Sequence, residues 1–217
     1  MNNHTISIAI IMTLAEIIGA YICLKNKEVL NRILLTSLGL GFTYIIVFMD
    51  ILPDALEHYS IGAIICILGI LFMYLIDKYA NYVGGYAAVL GMGFHDFCEG
   101  AILTMLATSL SPITILAFIF HKVPEGIISF SLLEKINDNM KILVVVLISI
   151  LIPLGTFISI PESIEQPVLA FISGVILFVI SKSLKMILYK HNSIKTKIAI
   201  ATVIGAIIGV IPCLIIM

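Results

Sequence analysis

Charged residues are scarce in this sequence. Only 12% of its 217 residues are Asp, Glu, Lys or Arg, whereas 61% are apolar, and the mean hydropathy is +1.19. Soluble domains carry about 25% charged residues. The composition therefore excludes a soluble domain. It predicts a single transmembrane domain over residues 1–217, with the lipid bilayer rather than a nucleic acid as its partner.

Close cysteine pairs are also missing. The four cysteines, Cys23, Cys66, Cys98 and Cys213, are scattered over four apolar runs. This spacing suggests neither a disulfide framework nor a CxxC metal site. We expect all four to be packing residues.

The apolar residues fall into runs long enough to cross a bilayer, which takes about 20 residues. Short loops separate these runs and carry nearly all the Lys and Arg residues. The pattern predicts an all-α integral membrane protein, a bundle of eight transmembrane helices. The first run has no basic n-region and no cleavage site, so it is interpreted as a retained helix. The expected spans are Thr5 to Leu24, Ile33 to Ile51, Ile61 to Ile76, Val83 to Leu106, Pro112 to Leu133, Ile142 to Ile160, Val168 to Leu188 and Ile198 to Met217.

The basic residues lie almost entirely in alternate loops. Eleven of the twelve fall on one side of the predicted bundle, and the exception, Lys122, is inside a span. The positive-inside rule assigns that side to the cytoplasm, so both termini are predicted to be extracytoplasmic. The opposite side carries Asp54, Glu57 and His58 without basic partners. We expect this weakly acidic face to attract cations, although ordinary solvated loop charges would look the same.

Two motifs in the middle of the chain have His, Glu and Gly at the same spacing: HDFCEG at His95 to Gly100 and HKVPEG at His121 to Gly126. Both fall roughly 16 Å from the connecting loop, near the centre of the bilayer. Within each helix His and Glu are four residues apart and share one face. In antiparallel helices, His95 comes level with Glu125 and Glu99 with His121.

These four residues form a ligand set suited to a divalent metal, because imidazole suits Zn, Cu, Fe and Ni while carboxylate extends the range toward Mn. The alternative is a set of polar bonds that tie two helices together. Ionisable residues at this depth cost roughly 2.5 to 3.5 kcal/mol each on insertion scales. Four at matched depth therefore favour a metal site made by His95, Glu99, His121 and Glu125.

The residue after each motif histidine is charged. Asp96 and Lys122 are expected to face each other as a neutral pair beside the metal cluster, with Lys122 acting as a built-in cation in place of a second metal. In the alternative, Lys122 snorkels outward. Pro124 is expected to kink or open its helix beside His121, and Gly100 and Gly126 to permit close helix approach.

With these motifs on the fourth and fifth of eight spans, the chain resembles the ZIP (Zrt-, Irt-like protein) family of divalent metal transporters. That family has His-Asn-x-x-Glu/Asp-Gly in span four and His-x-x-Pro-Glu-Gly in span five. The segments MDILPDAL in span two and IPLGTF in span six are similar to two further family patterns. The resemblance implies a carrier that moves spans one, four, five and six against the other four, often as a homodimer.

Three positions depart from the binuclear members of that family. Asp96 replaces an Asn, Lys122 replaces a polar or acidic residue, and Ile152 replaces a Glu. These departures indicate one metal site rather than two. Cys98 replaces the more usual Pro and is a soft ligand or, preferably, a buried inert thiol.

The resulting prediction is a cell-membrane carrier that brings a divalent metal into the cytoplasm. Zinc is expected first, with iron, manganese, cadmium or cobalt as further substrates, and no enzyme activity or resident cofactor is expected. The metal would pass Asp50, Asp54, Glu57 or His58, while Glu16, a lone acid in span one, would serve a proton or exit step or only a structural role. The alternatives are an intramembrane metal-dependent hydrolase and a non-transporting metal sensor in which Lys122 blocks transport.

Overall fold

All secondary structure in the computed structural model is helical over the residues that it describes, 3–57, 61–79, 86–106, 112–133, 136–158 and 161–216. The predicted all-α class is therefore confirmed. A π-helical segment, Val47–Ile51, joins α2 to α3, and a 3₁₀ turn, Asn192–Ile194, precedes α10. The α-helices are α1 (Asn3–Lys25), α2 (Val29–Ile46), α3 (Leu52–Glu57), α4 (Gly62–Tyr79), α5 (Tyr86–Leu106), α6 (Pro112–Leu132), α7 (Asp138–Ser149), α8 (Leu151–Gly155), α9 (Glu162–Lys190) and α10 (Lys195–Ile216).

Within these described ranges, five helical segments are long and apolar enough to cross a membrane. They are His4–Lys25, Val29–Met49, Asp138–Gly155, Gln166–Lys190 and Asn192–Ile211. They match the predicted spans one, two, six, seven and eight. Helices α4, α5 and α6 match the other three, and the eight-span count and the side of the termini stay predictions.

The outer surface of the bundle is apolar, as a lipid-facing surface would be. On α4, for example, Ile64 and Ile67 are 58% and 61% exposed. Exposed apolar surface on this scale is typical of membrane or protein contacts. The structure is thus consistent with a membrane protein.

Among the described residues, close backbone contacts join α1 with α6, α2 with α10, α4 with α9, and α5 with α8. A Cβ atom at Gly126 of α6 would overlap the carbonyl oxygen of Glu16 on α1. One at Gly100 of α5 would overlap the carbonyl oxygen of Ile152 on α8. Small residues allow this approach in membrane helices, so the expected packing role of Gly100 and Gly126 is confirmed.

The predicted span six is divided into α7 and α8 and begins four residues earlier than expected. It begins early because the side chain of Asn137 accepts a hydrogen bond from Met140 N at 2.9 Å and so caps α7. It is divided at Ile150, where Pro153 has no N–H to donate to the carbonyl of Ser149. The Thr13 hydroxyl of α1 lies 3.0 Å from that carbonyl oxygen and 3.0 Å from Ala9 O, so the two oxygens share its one hydrogen.

Candidate metal site

Helices α5 and α6 bring the two sequence motifs together in the interior. His95, Glu99, His121 and Glu125 each offer one ligand atom, and these atoms all lie within 4.8 Å of one another. The Nε2 atom of His95 is 3.2 Å from Glu125 Oε1, and that of His121 is 2.9 Å from Glu99 Oε1. These are the two level pairs expected from antiparallel helices with i, i+4 motifs.

The cluster is shielded from solvent, with one more accessible member. His95, Glu99 and Glu125 are buried at 4%, 6% and 1% exposure, whereas the His121 side chain is 12% exposed. Helix α6 continues through Pro124, so the expected opening beside His121 does not end the helix. His121 is thus the member of the cluster with the greatest access from outside.

Lys122 lies among the carboxylates rather than beside them. Its ammonium donates to Asp96 Oδ1 at 2.7 Å and to Glu125 Oε2 at 2.6 Å, and it also contacts Glu99. The side chain is fully buried, so it does not snorkel outward. The prediction of a neutral pair with Asp96 beside the cluster was therefore wrong in one respect, because Lys122 also bonds two of the four candidate ligands. The i, i+3 spacing of Lys122 and Glu125 was the signal in the sequence.

The charges of the cluster favour a divalent cation. Asp96, Glu99 and Glu125 supply three negative charges and Lys122 one positive charge, so with neutral imidazoles the group has a net charge of about −2. Charges in a low-dielectric interior need neutralising partners. One divalent ion would cancel the net charge of these four residues, a sum that does not include Glu16.

Glu16 of α1 is fully buried, and its carbonyl oxygen lies against Gly126, the residue after Glu125. It interacts electrostatically with Asp96, Lys122 and Glu125. Neither of its carboxylate oxygens has a hydrogen-bond partner among the described residues. The acid that appears isolated in the sequence is therefore part of the charged interior.

The proposed access residues are less fully described. Asp50 lies in the π-helical segment and Asp54 and Glu57 in α3, but their side chains, and all of His58, lie outside the described part of the structure. The structure therefore does not bring these residues to the cluster or separate them from it.

The four cysteines and Ile152 are packing residues. Cys98 is buried in the largest apolar core cluster, and Cys23, Cys66 and Cys213 are buried thiols that are not in disulfides. Ile152, in place of the family carboxylate, is fully buried in a second apolar cluster. The packing role expected for the cysteines is confirmed.

No protein-family model matches the chain, and no curated protein sequence matches it. The resemblance to the ZIP family thus depends on the sequence motifs alone and remains a hypothesis.

Proposed function

We propose that this protein is a carrier that moves a divalent metal cation into the cytoplasm through one intramembrane site. The ligands are His95, Glu99, His121 and Glu125. Zinc is the first expected substrate, and iron, manganese, cadmium and cobalt are further candidates. The observation that carries the proposal is the convergence of four ligand atoms within 4.8 Å of one another in an apolar interior.

The chemistry of these ligands supports a divalent ion. Two imidazoles and two carboxylates match the donors that zinc and similar ions take in proteins. Holding four ionisable groups inside an apolar bundle is costly, and such groups are functional by default in membrane helices. A purely structural tie between α5 and α6 would need only one such pair.

Lys122 makes the site suitable for release as well as binding. Its ammonium occupies one oxygen of Glu125 and contacts Glu99, so an arriving metal must compete with it. Transport requires a site that is favourable enough to fill and weak enough to empty. A competing internal cation lowers the affinity without removing any ligand.

The proposed path follows from the distribution of charge. The metal would enter from the acidic face past Asp50, Asp54, Glu57 or His58 and reach the cluster at His121, its most exposed member. Eight spans, extracytoplasmic termini and a position in the cell membrane belong to this proposal, with the positive-inside pattern as their support. A homodimer is implied by the family resemblance.

The proposal is tested by radioactive zinc uptake into proteoliposomes that contain the purified chain. We expect His95→Ala and Glu125→Ala to abolish uptake, because each removes one of four ligands. His191→Ala and Glu28→Ala are matched controls, since these residues lie outside the cluster and Glu28 is exposed. Uptake by the two cluster variants at the wild-type rate would refute the site.

A metal sensor is the second candidate, and the contacts of Lys122 favour it. An ammonium held by three carboxylates would block passage if it could not move aside. Zinc binding without flux would support the sensor, whereas zinc-dependent turnover of lipid or peptide would support a hydrolase. Competition of labelled zinc with Fe, Mn, Cd and Co would then rank the substrates.

A further inference from the structure

Glu16 is an unusual group for a membrane interior. Its side chain is 0% exposed, and both of its oxygens lack a hydrogen-bond partner among the described residues. A nearby hydroxyl is that of Ser149, which lies 2.7 Å from Val145 O and donates to that carbonyl in the present arrangement. A buried carboxyl group without a donor is unfavourable, so this position needs a reason beyond packing.

The packing of α1 on α6 places Glu16 next to Lys122 and Glu125. Gly126 is against the carbonyl oxygen of Glu16, and Gly19, one turn later on α1, is against the carbonyl oxygen of Val123. On α6 these two contacts fall at Val123 and Gly126, directly after Lys122 and Glu125 in the sequence. Glu16 accordingly interacts with Lys122 and with Asp96, the lysine's partner on α5.

A metal ion and Lys122 cannot share Glu99 and Glu125 without conflict. Each carboxylate has one oxygen toward a histidine and the other toward the ammonium. A divalent ion at the cluster would lie a few ångströms from a positive charge in a medium of low dielectric, where like charges repel strongly. The repulsion therefore favours movement of the ammonium away from Glu99 and Glu125 when the metal binds.

We propose that Glu16 is the acceptor to which Lys122 withdraws when the divalent ion binds. The inference rests on the proposed function. Lysine has a flexible four-carbon stem and rotatable donors, so its ammonium can change partners without movement of the helix. Asp96 remains its second partner, and Asp96 Oδ2 has no hydrogen-bond partner among the described residues.

This exchange improves the distribution of charge. In the metal-free arrangement, the single ammonium offsets part of the charge of the ligand carboxylates, while Glu16 has no hydrogen-bond donor among the described residues. With metal bound, the ion neutralises Glu99 and Glu125, and the ammonium lies between Asp96 and Glu16. Glu16 is thus a positioning residue rather than a ligand of the metal. It lowers the free energy needed to move the Lys122 ammonium away from the ligand carboxylates.

A double-mutant cycle tests the inference by equilibrium binding of radioactive zinc to the purified full chain in detergent. We expect Glu16→Gln to weaken zinc binding about tenfold or more, the scale of a hydrogen bond to a charged group. In a Lys122→Met background, the same change should have no effect, because no ammonium has to be accommodated. Glu28→Gln, an equivalent change at an exposed site, is the control and should leave binding unchanged.

Three results would overturn the inference. The first is an equal loss of zinc affinity in both backgrounds, which a direct ligand or a simple field effect would give. The second is no loss of zinc affinity in the wild-type background. The third is a lower stability of metal-free Glu16→Gln, which a structural role would give. Wild-type protein that binds no zinc would refute the proposed function itself, and the inference with it. If Lys122→Met does not fold, the Asp96→Asn, Lys122→Met double variant removes one charge of each sign and replaces it as the background.

Discussion

Replacement of Lys122 by Met tests how far one internal cation supports the site. The ammonium is fully buried and contacts Asp96 at 2.7 Å, Glu125 at 2.6 Å, and Glu99. Methionine has a similar length but no charge, so the three carboxylates would face one another without a cation. Removing one partner of a buried ion pair costs about 3–5 kcal/mol. By the scaling for soluble domains of this size, that corresponds to a midpoint lower by on the order of 10 °C.

Zinc should reverse part of this loss. The ion would bring positive charge back to the same carboxylates without having to displace an ammonium, so the variant should bind it more tightly than the wild type. A ligand at 100 times its Kd stabilises the folded state by about 2.7 kcal/mol. We therefore expect a larger zinc-induced rise in midpoint for Lys122→Met than for the wild type.

The four buried cysteines, which are not in disulfides, provide the assay, since a thiol-reactive dye reports their exposure on unfolding. Lys182→Met is the control, because Lys182 pairs with Asp77 at a partly exposed position, where ion pairs contribute about 0–1 kcal/mol. If Lys122→Met unfolds at the wild-type midpoint without metal, or if zinc stabilises both proteins equally, the reasoning is wrong.

Three further predictions concern packing, protons and the thiol beside the site. Gly126→Ala should destabilise the fold by about 1–3 kcal/mol, because its Cβ would overlap the Glu16 carbonyl oxygen. Gly93→Ala is the control, since its Cβ would meet only side-chain carbons, the nearest at 3.1 Å. An equal decrease of the thermal unfolding midpoint in both variants would contradict this prediction. Zinc uptake should weaken from about pH 8 to about pH 5, because protons compete with a divalent metal for its imidazole and carboxylate ligands. Equal uptake across that range would count against the site. Cys98→Ala should keep its zinc affinity, because Cys98 is a core residue; a tenfold loss in a binding titration would make it a ligand.

The helices were largely predictable because apolar runs of bilayer length and their breaks are local features of the chain. The predicted spans two and six differ most from the structure. Span two continues through a π-helical segment into α3, and span six is divided where Pro153 frees a carbonyl for Thr13. The contact of the Ser149 carbonyl with the Thr13 hydroxyl joins distant segments of the chain, and the position of the proline alone does not predict it.

The sequence by itself determined the composition of the candidate site. His and Glu four residues apart must share a helix face, and two such helices joined by a short loop must run antiparallel, so the pairs His95–Glu125 and Glu99–His121 followed from spacing alone. Only the tertiary structure decided what surrounds them. The rotation of α5 against α6 placed Lys122 among three carboxylates, and the contact of α1 with Gly126 brought Glu16 beside it. Both depend on side-chain packing between helices, which residue spacing along one helix does not specify.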